Sequence, residues 1–323
     1  MDILITEAFD DPAITRLEAE HNVVHEPGAF QDSARLRELI AEARTIIVRN
    51  QTQLTAEVLE AAPNLIGIGR MGVGLDNIDV ARASELGIVV VAPLDANSTS
   101  VAEMTLGVML GLARRIPASD RKTKAGGWDR KGGTGVELSG KTLAICGFGR
   151  VGRKVARLAR AFGMRIIVSD PFVEAGSPSL AETDAELCSS LEDALGQADY
   201  ISAHSPLTPE TKRMFNAELF ARTKPGAYFI NTSRGGIVDE EALSEALQSG
   251  QLGGAALDVR EKEPPGEPDD LEAMDNVILL PHVGGWTREA LSRTHEAVAN
   301  DLDSLLKGGE ARNFVNQKSP TRP

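Results

Sequence analysis

The chain has 323 residues, of which 42% are apolar and 25% are charged, and its formal net charge is −13. This composition is typical of a globular protein with two domains of ordinary size, and it argues against a fibrous or disordered chain. The negative charge disfavours a general surface for nucleic acid or for an anionic membrane, so any anion must bind in a local basic pocket.

The start of the chain, MDILIT, is strand-like and lacks the basic and apolar regions of a signal peptide. No apolar run reaches the roughly 18 residues of a membrane span, so we expect a cytoplasmic protein without a membrane partner. The two cysteines, Cys146 and Cys188, are expected to be free thiols. Although His21 and His25 are four residues apart, the segment between them is typical of a strand, and no metal site is predicted.

Short β-branched runs recur along the chain, with helix-like segments between most of them. This alternation predicts an α/β protein with parallel sheets covered by helices. The predicted strand segments, in chain order, are ILIT, TIIVR, LIGIG, IVVV, TLAIC, RIIVS, YISAH, AYFIN, GAALD and VILLP.

A long apolar helix is predicted near residue 100. Ser100 and Glu103 have the spacing of a capping box, and the apolar segment after them runs to Ile116. Because this helix is apolar on nearly all faces, it must be buried on nearly all sides, at a domain junction or in a subunit interface. The segment KAGGWDRKGG that follows is typical of an arm that reaches a neighbouring subunit, and we expect a homodimer.

The domain boundaries are predicted where the chain crosses between sheets. The first crossing precedes the apolar helix, and the second follows LLPHVGGWT, where another helix begins at Arg288. The first domain is therefore predicted to be discontinuous, with residues 1–97 and 285–323. The second domain is predicted to span residues 98–284.

A nucleotide-binding pattern follows the strand TLAIC. Gly147, Gly149 and Gly152 form G-x-G-x-x-G between that strand and an amphipathic helix, whose N-terminus favours a phosphate group. Asp170 ends the next strand, where a carboxylate accepts hydrogen bonds from ribose hydroxyls and repels a 2′-phosphate. The pattern therefore favours NAD over NADP. The alternative is a structural strand–helix turn that Asp170 caps.

Polar residues that could take part in catalysis or ligand binding follow four other strands in the half of the chain that holds the glycine pattern. The carboxyl ends of parallel strands are where α/β proteins bind ligands. These strand-end residues are His204, Ser205, Arg234, Asp258, Glu263 and His282.

The sequence resembles the D-isomer-specific 2-hydroxyacid dehydrogenases, and among them most closely the phosphoglycerate dehydrogenases. The resemblance rests on VRNQTQLTAEVLEAAPNLIGIGRMGVGLDNID, GFGRVG, NTSRGGIVDEEAL, AALDV and PHVGGWT, in this order over most of the chain. It implies two doubly wound parallel-sheet domains, with a Rossmann NAD-binding domain inserted in a flavodoxin-like substrate domain. It also implies an NAD-dependent oxidoreductase that interconverts a small anionic 2-keto acid and a D-2-hydroxy acid.

The resemblance identifies Arg234, Glu263 and His282 as the catalytic set. A histidine can deliver a proton near neutral pH, a carboxylate can orient it, and an arginine can bind the substrate carboxylate. His204 is expected to be structural. The further cofactor contacts that the resemblance implies are Arg150, Val151, Ser205, Thr232, Ser233, Asp258 and Gly284.

The resemblance also implies a set of substrate contacts. Val73 and Gly74 would offer backbone N–H groups to the substrate carboxylate. Arg49, Arg70 and Arg130 stand where phosphoglycerate dehydrogenases contact phosphate, which predicts a substrate with a second anion. Arg49 and Arg70 end apolar strands and are expected to project from the mouth of a sheet. Alternatively, these arginines pair with surface carboxylates or bind a sulfonate or distal carboxylate.

Two departures from the family pattern leave the substrate open. Many phosphoglycerate dehydrogenases have a C-terminal regulatory domain, whereas this sequence is expected to be the form without it. Where the family often has an aromatic residue, this chain has Arg260, which is expected to alter the pocket rim or to face solvent.

Three other functions compete with the phosphoglycerate dehydrogenase interpretation. A glyoxylate or hydroxypyruvate reductase has the same fold and a less anionic pocket. Formate dehydrogenase is a weaker alternative, because the relatives that oxidise formate have glutamine where this chain has Glu263. A corepressor-like protein that senses NAD(H) is the alternative of a different class.

Overall fold

The computed structural model describes residues 1–9 and 11–322. They form two compact units. One holds the described residues up to Asn97 and from Trp286 onward, and the other is Ser98–Gly285. Each unit contains one parallel sheet with helices on both faces, which confirms the predicted α/β class.

Twelve strands occur in the described residues. Their bounds are β1 Ile3–Ile5, β2 Val23–His25, β3 Thr45–Val48, β4 Gly67–Arg70, β5 Val89–Val91, β6 Thr142–Cys146, β7 Arg165–Ser169, β8 Ala185–Leu187, β9 Tyr200–Ala203, β10 Ala227–Asn231, β11 Leu252–Leu257 and β12 Val277–Leu279. Only β8 had no sequence signal, because its three residues, Ala-Glu-Leu, are neither β-branched nor aromatic.

Thirteen α-helices and two short 3-10 helices, Ala29–Gln31 and Gly235–Ile237, occur in the same residues. The α-helices are α1 Pro12–Glu20, α2 Ser33–Ala41, α3 Ala56–Glu60, α4 Val80–Glu85, α5 Ser98–Ala113, α6 Ile116–Lys124, α7 Arg150–Ala161, α8 Pro178–Thr183, α9 Leu191–Gln197, α10 Ala217–Ala221, α11 Glu240–Gln248, α12 Asp270–Ala273 and α13 Arg288–Leu306. Within the described residues, no helix combines the length and the apolar character needed to cross a bilayer.

The sheet of the first unit has the strand order β2-β1-β3-β4-β5, and all its pairs are parallel. This order is the flavodoxin-like one. Because successive side chains of a strand point to opposite faces, Ile3 and Ile5 pack in one core cluster with α1 and α13, and Leu4 packs in the other.

The sheet of the second unit has the order β12-β11-β10-β9-β6-β7-β8, and its pairs are also parallel. Without β12, this is the Rossmann order, in which the direction of winding reverses between β6 and β9. Ligands bind outside the carboxyl ends of the strands at such a switch point. The glycine pattern after β6 therefore lies where a ligand is expected.

The predicted capping box at Ser100 is wrong. Helix α5 begins at Ser98, so Ser100 lies inside its first turn, and both serines are buried by packing. The predicted C-terminal end is wrong as well, because α5 ends at Ala113. Pro117 has no N–H to donate to the Ala113 carbonyl, and Val136 N–H donates to it instead at 2.8 Å.

Candidate active site

The glycine loop after β6 is shaped by contacts that exclude side chains. Gly147 has a φ of +98°, and a Cβ at this position would lie 2.8 Å from the carbonyl carbon of His204. A Cβ at Gly152 would lie 2.3 Å from the Gly147 oxygen, whereas one at Gly149 would meet no atom within 4 Å. Two of the glycines thus allow close packing, and Gly149 leaves open space in front of the loop.

The start of α7 offers hydrogen-bond donors to that open space. Gly149 is the N-cap residue and has no side chain with which to cap the helix. Arg153 N–H donates to Gly149 O at 3.1 Å, and the N–H groups of the residues before it belong to the first turn, where α-helices have no internal acceptors. Together with the helix dipole, these donors favour an anion at Arg150 and Val151.

Asp170 lies directly after β7 and faces the glycine loop. Its Oδ2 accepts the N–H of Phe148 at 2.6 Å, and its Oδ1 accepts the N–H of Phe172 at 2.8 Å. An ionised carboxylate has about four acceptor positions, so two backbone bonds leave capacity for ribose hydroxyls. The loop, the helix start and Asp170 together fit the pyrophosphate and ribose of a dinucleotide.

Asp258 shapes the turn that carries His282. Its carboxylate is buried at the end of β11 and accepts the N–H groups of Val283 and Gly284 at 2.8 and 2.7 Å. Its backbone carbonyl accepts His282 N–H at 2.8 Å. Burial raises the pKa of Asp258, although the two N–H donors act in the opposite direction. The sequence predicted Asp258 only as a cofactor contact and did not predict this structural role.

His282 adopts a left-handed conformation with a φ of +57°. Such a conformation costs a non-glycine residue about 1–3 kcal/mol and persists only where the surroundings fix it. The three bonds to Asp258 fix it here. They place the imidazole at the carboxyl end of β12, with 47% of the side chain exposed and therefore accessible to a substrate.

His282 and Glu263 form a short hydrogen bond. Nδ1 of the imidazole lies 2.6 Å from Oε2 of the carboxylate. Partial burial raises the pKa of Glu263, but the bonds from His282 and from the Arg260 N–H, with the charges of His282 and Arg234, outweigh burial and lower it below its ordinary value. Within residues 1–9 and 11–322, the other ring nitrogen of His282, Nε2, makes no hydrogen bond.

Arg234 follows β10 in a tightly held turn. Asn231 accepts the N–H and the hydroxyl of Ser233, and its amide donates to Arg234 O at 2.9 Å. The guanidinium donates from Nη1 to Ser233 O at 2.7 Å, and its positive charge acts on Glu263. The structure thus brings the three predicted catalytic residues together at one edge of the second sheet.

The predicted hydroxyl contacts to the cofactor already have partners within the protein. Ser205 Oγ donates to Cys146 O at 3.3 Å, and the hydroxyls of Thr232 and Thr105 are 2.9 Å apart. These residues therefore stiffen the strand ends around the glycine loop. Their contact with a cofactor stays a prediction, as does that of Gly284.

His204 lies beside the glycine loop. Its Nε2 is 2.8 Å from the Ser202 hydroxyl. Burial lowers the pKa of His204 to about 4. The ring is therefore neutral at pH 7 and cannot serve as the proton donor there.

Arg49 lies against two aromatic rings of the first unit. Its Cζ is 4.7 Å from the ring centroid of Phe9 and 5.1 Å from that of Trp286. Glu7 accepts the Arg49 N–H at 2.7 Å, and its charge partly offsets the burial that lowers the pKa of the guanidinium. The sequence did not predict the role of Trp286, because it lies 237 positions along the chain from Arg49.

Arg70 does not project from the mouth of the sheet, contrary to the expectation. It is 8% exposed, and its Nε donates to Gly74 O at 2.8 Å. A Cβ at Gly72 would lie 2.3 Å from Nη1, so this glycine allows the guanidinium to fold back under its own loop. Arg70 thereby fixes the backbone of the predicted carboxylate contacts, Val73 and Gly74.

Arg130 belongs to the second unit, unlike the other two predicted phosphate contacts. It is exposed in the loop after α6, next to Asp129, which accepts the N–H of Gly132 at 2.7 Å. Nothing within the second unit brings Arg130 to the catalytic residues, and its role stays a prediction.

The expectation that Arg260 faces solvent is wrong, because its side chain is 7% exposed and surrounded by carboxylates. An effect of Arg260 on the pocket rim stays a prediction. The side chain contacts Glu240, Asp269 and Glu272, which lie in or next to α11 and α12. Three acidic side chains therefore compensate the positive charge that Arg260 introduces in place of the usual aromatic residue.

One acidic group in the first unit has the composition of a metal site. Glu20, His21 and Asp303 have their ligand atoms close together. Lys307 Nζ lies 2.7 Å from Glu20 and 2.8 Å from Asp303, so an ammonium group already neutralises the carboxylates.

Known proteins resemble this chain in sequence. A family model described as "D-isomer specific 2-hydroxyacid dehydrogenase, NAD binding domain" matches residues 106–284. The D-3-phosphoglycerate dehydrogenase of Methanocaldococcus jannaschii is 44% identical over 315 residues, which are 97% of this chain and 59% of that protein. The chain thus spans between about half and three fifths of the length of the curated relatives that it matches.

Solved structures resemble the chain over its whole length. A protein from Thermus thermophilus superposes with a TM-score of 0.89 at 35% identity and covers 98% of this chain and 100% of its own. The D-lactate dehydrogenase of Aquifex aeolicus, complexed with NAD and lactic acid, has a TM-score of 0.87 at 31% identity, with the same coverage. The chain therefore belongs to the D-isomer-specific 2-hydroxyacid dehydrogenase family, and it contains the NAD-binding domain of that family.

Proposed function

We propose that this protein is an NAD-dependent oxidoreductase that interconverts a D-2-hydroxy acid and its 2-keto acid, with 3-phosphoglycerate and 3-phosphohydroxypyruvate as the preferred pair. The observation that carries the reaction type is the 2.6 Å bond between His282 and Glu263, with the Arg234 charge beside it. The relatives named D-3-phosphoglycerate dehydrogenase, at 40–44% identity, support the choice of substrate.

In this proposal each catalytic side chain has one task. NADH, when bound, supplies the hydride for the carbonyl carbon. Arg234 binds the substrate carboxylate, since its planar fork matches two carboxylate oxygens. His282 donates a proton from Nε2 to the carbonyl oxygen, and Glu263 stabilises the charged imidazole and holds its Nδ1. In the oxidative direction, His282 takes the proton back from the hydroxyl group.

The first prediction concerns His282. His282→Asn should lower turnover by about two to four orders of magnitude, because the proton donor is lost. Asparagine tolerates the left-handed backbone, so the turn should persist. Steady-state reduction of 2-keto acids and a separate NADH titration measure the two effects, and NADH affinity should change little.

Glu263→Gln should shift the acid–base profile of the same reaction. Reduction should then require a lower pH, because the imidazolium loses its carboxylate partner. Glu267→Gln, on the same exposed segment, is the matched control. Wild-type turnover in His282→Asn would remove His282 from the mechanism, and tight NADH binding without any turnover in the wild type would favour the corepressor-like alternative.

The second prediction concerns the choice of NAD. Because Asp170 faces the ribose position in this proposal, NADPH should be a poor donor, and Asp170→Ala should weaken NADH binding. Glu174→Ala, four residues later and exposed, is the control and should leave affinity unchanged. Equal efficiency with NADH and NADPH in the unmodified protein would refute the role assigned to Asp170.

The second anion of the substrate is assigned to Arg49. The two aromatic rings hold its guanidinium, and burial reduces its access to water, so an anion there would interact strongly. Arg70 contributes through the Val73–Gly74 loop that it holds. The two arginines should therefore affect different ends of the substrate.

The third prediction separates these roles. Arg49→Gln should lower kcat/KM about ten- to a hundredfold for 3-phosphohydroxypyruvate but little for hydroxypyruvate, which lacks the second anion. Arg70→Gln should lower both, because the loop serves the carboxylate. Arg44→Gln, at the opposite end of the strand that precedes Arg49, is the control. Equal efficiency of the wild type on both substrates would favour a hydroxypyruvate reductase.

The fourth prediction concerns the homodimer. Ile116, Trp128 and Val136 are exposed by 53%, 79% and 42%, all in α6 and the loop after it, and a second copy of the chain would cover them. Light scattering at micromolar concentration should give the dimer mass, and Trp128→Glu should shift it towards the monomer. Phe172→Glu, 94% exposed elsewhere, should not. A monomeric mass for the wild type would contradict the proposal.

The cytoplasmic location also stays a proposal. It rests on the enzymatic function proposed above, and fractionation of cells that express the protein would test it.

A further inference from the structure

Arg260 is buried in the second unit and belongs to no part of the proposed mechanism. Its Nε and Nη2 donate to both carboxylate oxygens of Glu240 at 3.0–3.1 Å. Its Nη1 donates to Glu272 at 2.9 Å, and its Nη2 donates to Asp269 at 2.5 Å. Three carboxylates from two helical regions thus fix a single guanidinium, which a surface ion pair would not require.

The backbone of the same residue contacts the catalytic groups. Arg260 N–H donates to Oε1 of Glu263 at 3.1 Å, and Oε2 of Glu263 is the atom bonded to His282. On the other side, the Arg260 carbonyl packs so closely on Gly235 that a Cβ there would lie 1.9 Å from the oxygen. Gly235 directly follows Arg234. The backbone of Arg260 therefore contacts Glu263 through its N–H and the residue after Arg234 through its carbonyl.

We propose that Arg260 is a positioning residue that sets the place and charge of Glu263, and through it the protonation of His282. The side chain anchors the segment after β11 to the start of α11 and to α12. The anchored backbone then presents its N–H to the Glu263 carboxylate. Because this N–H donates to Oε1, Glu263 binds the imidazole only through Oε2.

The charged surroundings make the effect measurable. Glu263 and Asp258 interact with His282, and the charge of Arg234 acts on Glu263. Around Arg260 stand the three carboxylates already named, and Glu261 beside it is paired with Arg213 at 2.9 Å. A lysine at position 260 keeps the positive charge but has no fork, so it cannot bind Glu240 through two nitrogens while it also reaches Asp269 and Glu272. Arg260→Lys therefore loosens the segment without leaving the carboxylates uncompensated.

The test uses the whole chain without added ligand, so that it does not depend on turnover. The imidazole NMR signals of His282, assigned by their loss in His282→Asn, are titrated between pH 4 and 9 in wild type, Arg260→Lys, Arg260→Met and Glu263→Gln. We expect the titration midpoint of His282 to fall in Glu263→Gln and to fall by about half a pH unit or more in Arg260→Lys. In Arg260→Met the fall should be smaller, because the three uncompensated carboxylates favour the charged imidazole. Arg213→Met, which releases the neighbouring Glu261, should leave the midpoint unchanged.

A double-mutant cycle distinguishes positioning from general stability. Arg260→Lys should lower kcat about tenfold in the wild-type background and less than twofold in the Glu263→Gln background, because the carboxylate charge through which it acts is already absent. Circular dichroism verifies that each variant is folded. If Arg260→Met does not fold, Arg260→Lys and Glu240→Gln provide the comparison.

Two results would overturn the proposal. An unchanged His282 titration in a folded Arg260→Lys protein would make Arg260 purely structural. An equal loss of kcat in both backgrounds would show that it does not act through Glu263. The kinetic experiment rests on the proposed function, whereas the titration does not. If the wild type has no activity but the Arg260 variants shift the His282 titration, the proposed function is refuted and the positioning role stands.

Discussion

The buried carboxylate of Asp258 is the constraint on which the catalytic edge of the second unit depends. A carboxylate at the end of a central strand must be hydrogen-bonded or neutral, and here the N–H groups of two consecutive residues satisfy it. To donate these N–H groups to Asp258, the chain after β12 adopts a turn that holds His282 in a left-handed conformation. The position of the imidazole, and hence of its bond to Glu263, follows from the need to solvate one buried charge.

The two units hold their key cations in different ways. In the second unit Arg260 is surrounded by carboxylates, which compensate its charge and specify its direction. In the first unit Arg49 lies against the faces of Phe9 and Trp286, which orient the guanidinium, and among residues 1–9 and 11–322 no carboxylate forms an ion pair with it, although the charge of Glu7 acts on it. The first arrangement suits a structural anchor. The second suits a site where an incoming anion completes the pairing.

Features that depend on local sequence could be predicted. The glycine loop, Asp170 and the strand-end placement of Arg234 and His282 follow from strand periodicity and from the rule that parallel strands end at one edge. Features that depend on distant contacts could not. In the sequence, Arg70 resembles any other arginine at the end of a strand, and only the structure shows that its guanidinium packs against Gly72. The burial of Arg260 depends on three carboxylates, one from an earlier and two from a later segment of the chain. The capping box failed for a related reason, because packing buried Ser98 and Ser100 and extended α5 over both.

The discontinuous first unit has a consequence for synthesis on the ribosome. Helix α13 covers the face of the first sheet that Ile3, Ile5, Val89 and Val91 present, yet it is translated only after all of residues 98–285. The second unit is contiguous and can fold as soon as it emerges, whereas the first sheet must wait with an apolar face uncovered. The part of this face that α13 covers, beside α1, therefore stays exposed in the nascent chain until α13 has left the exit tunnel.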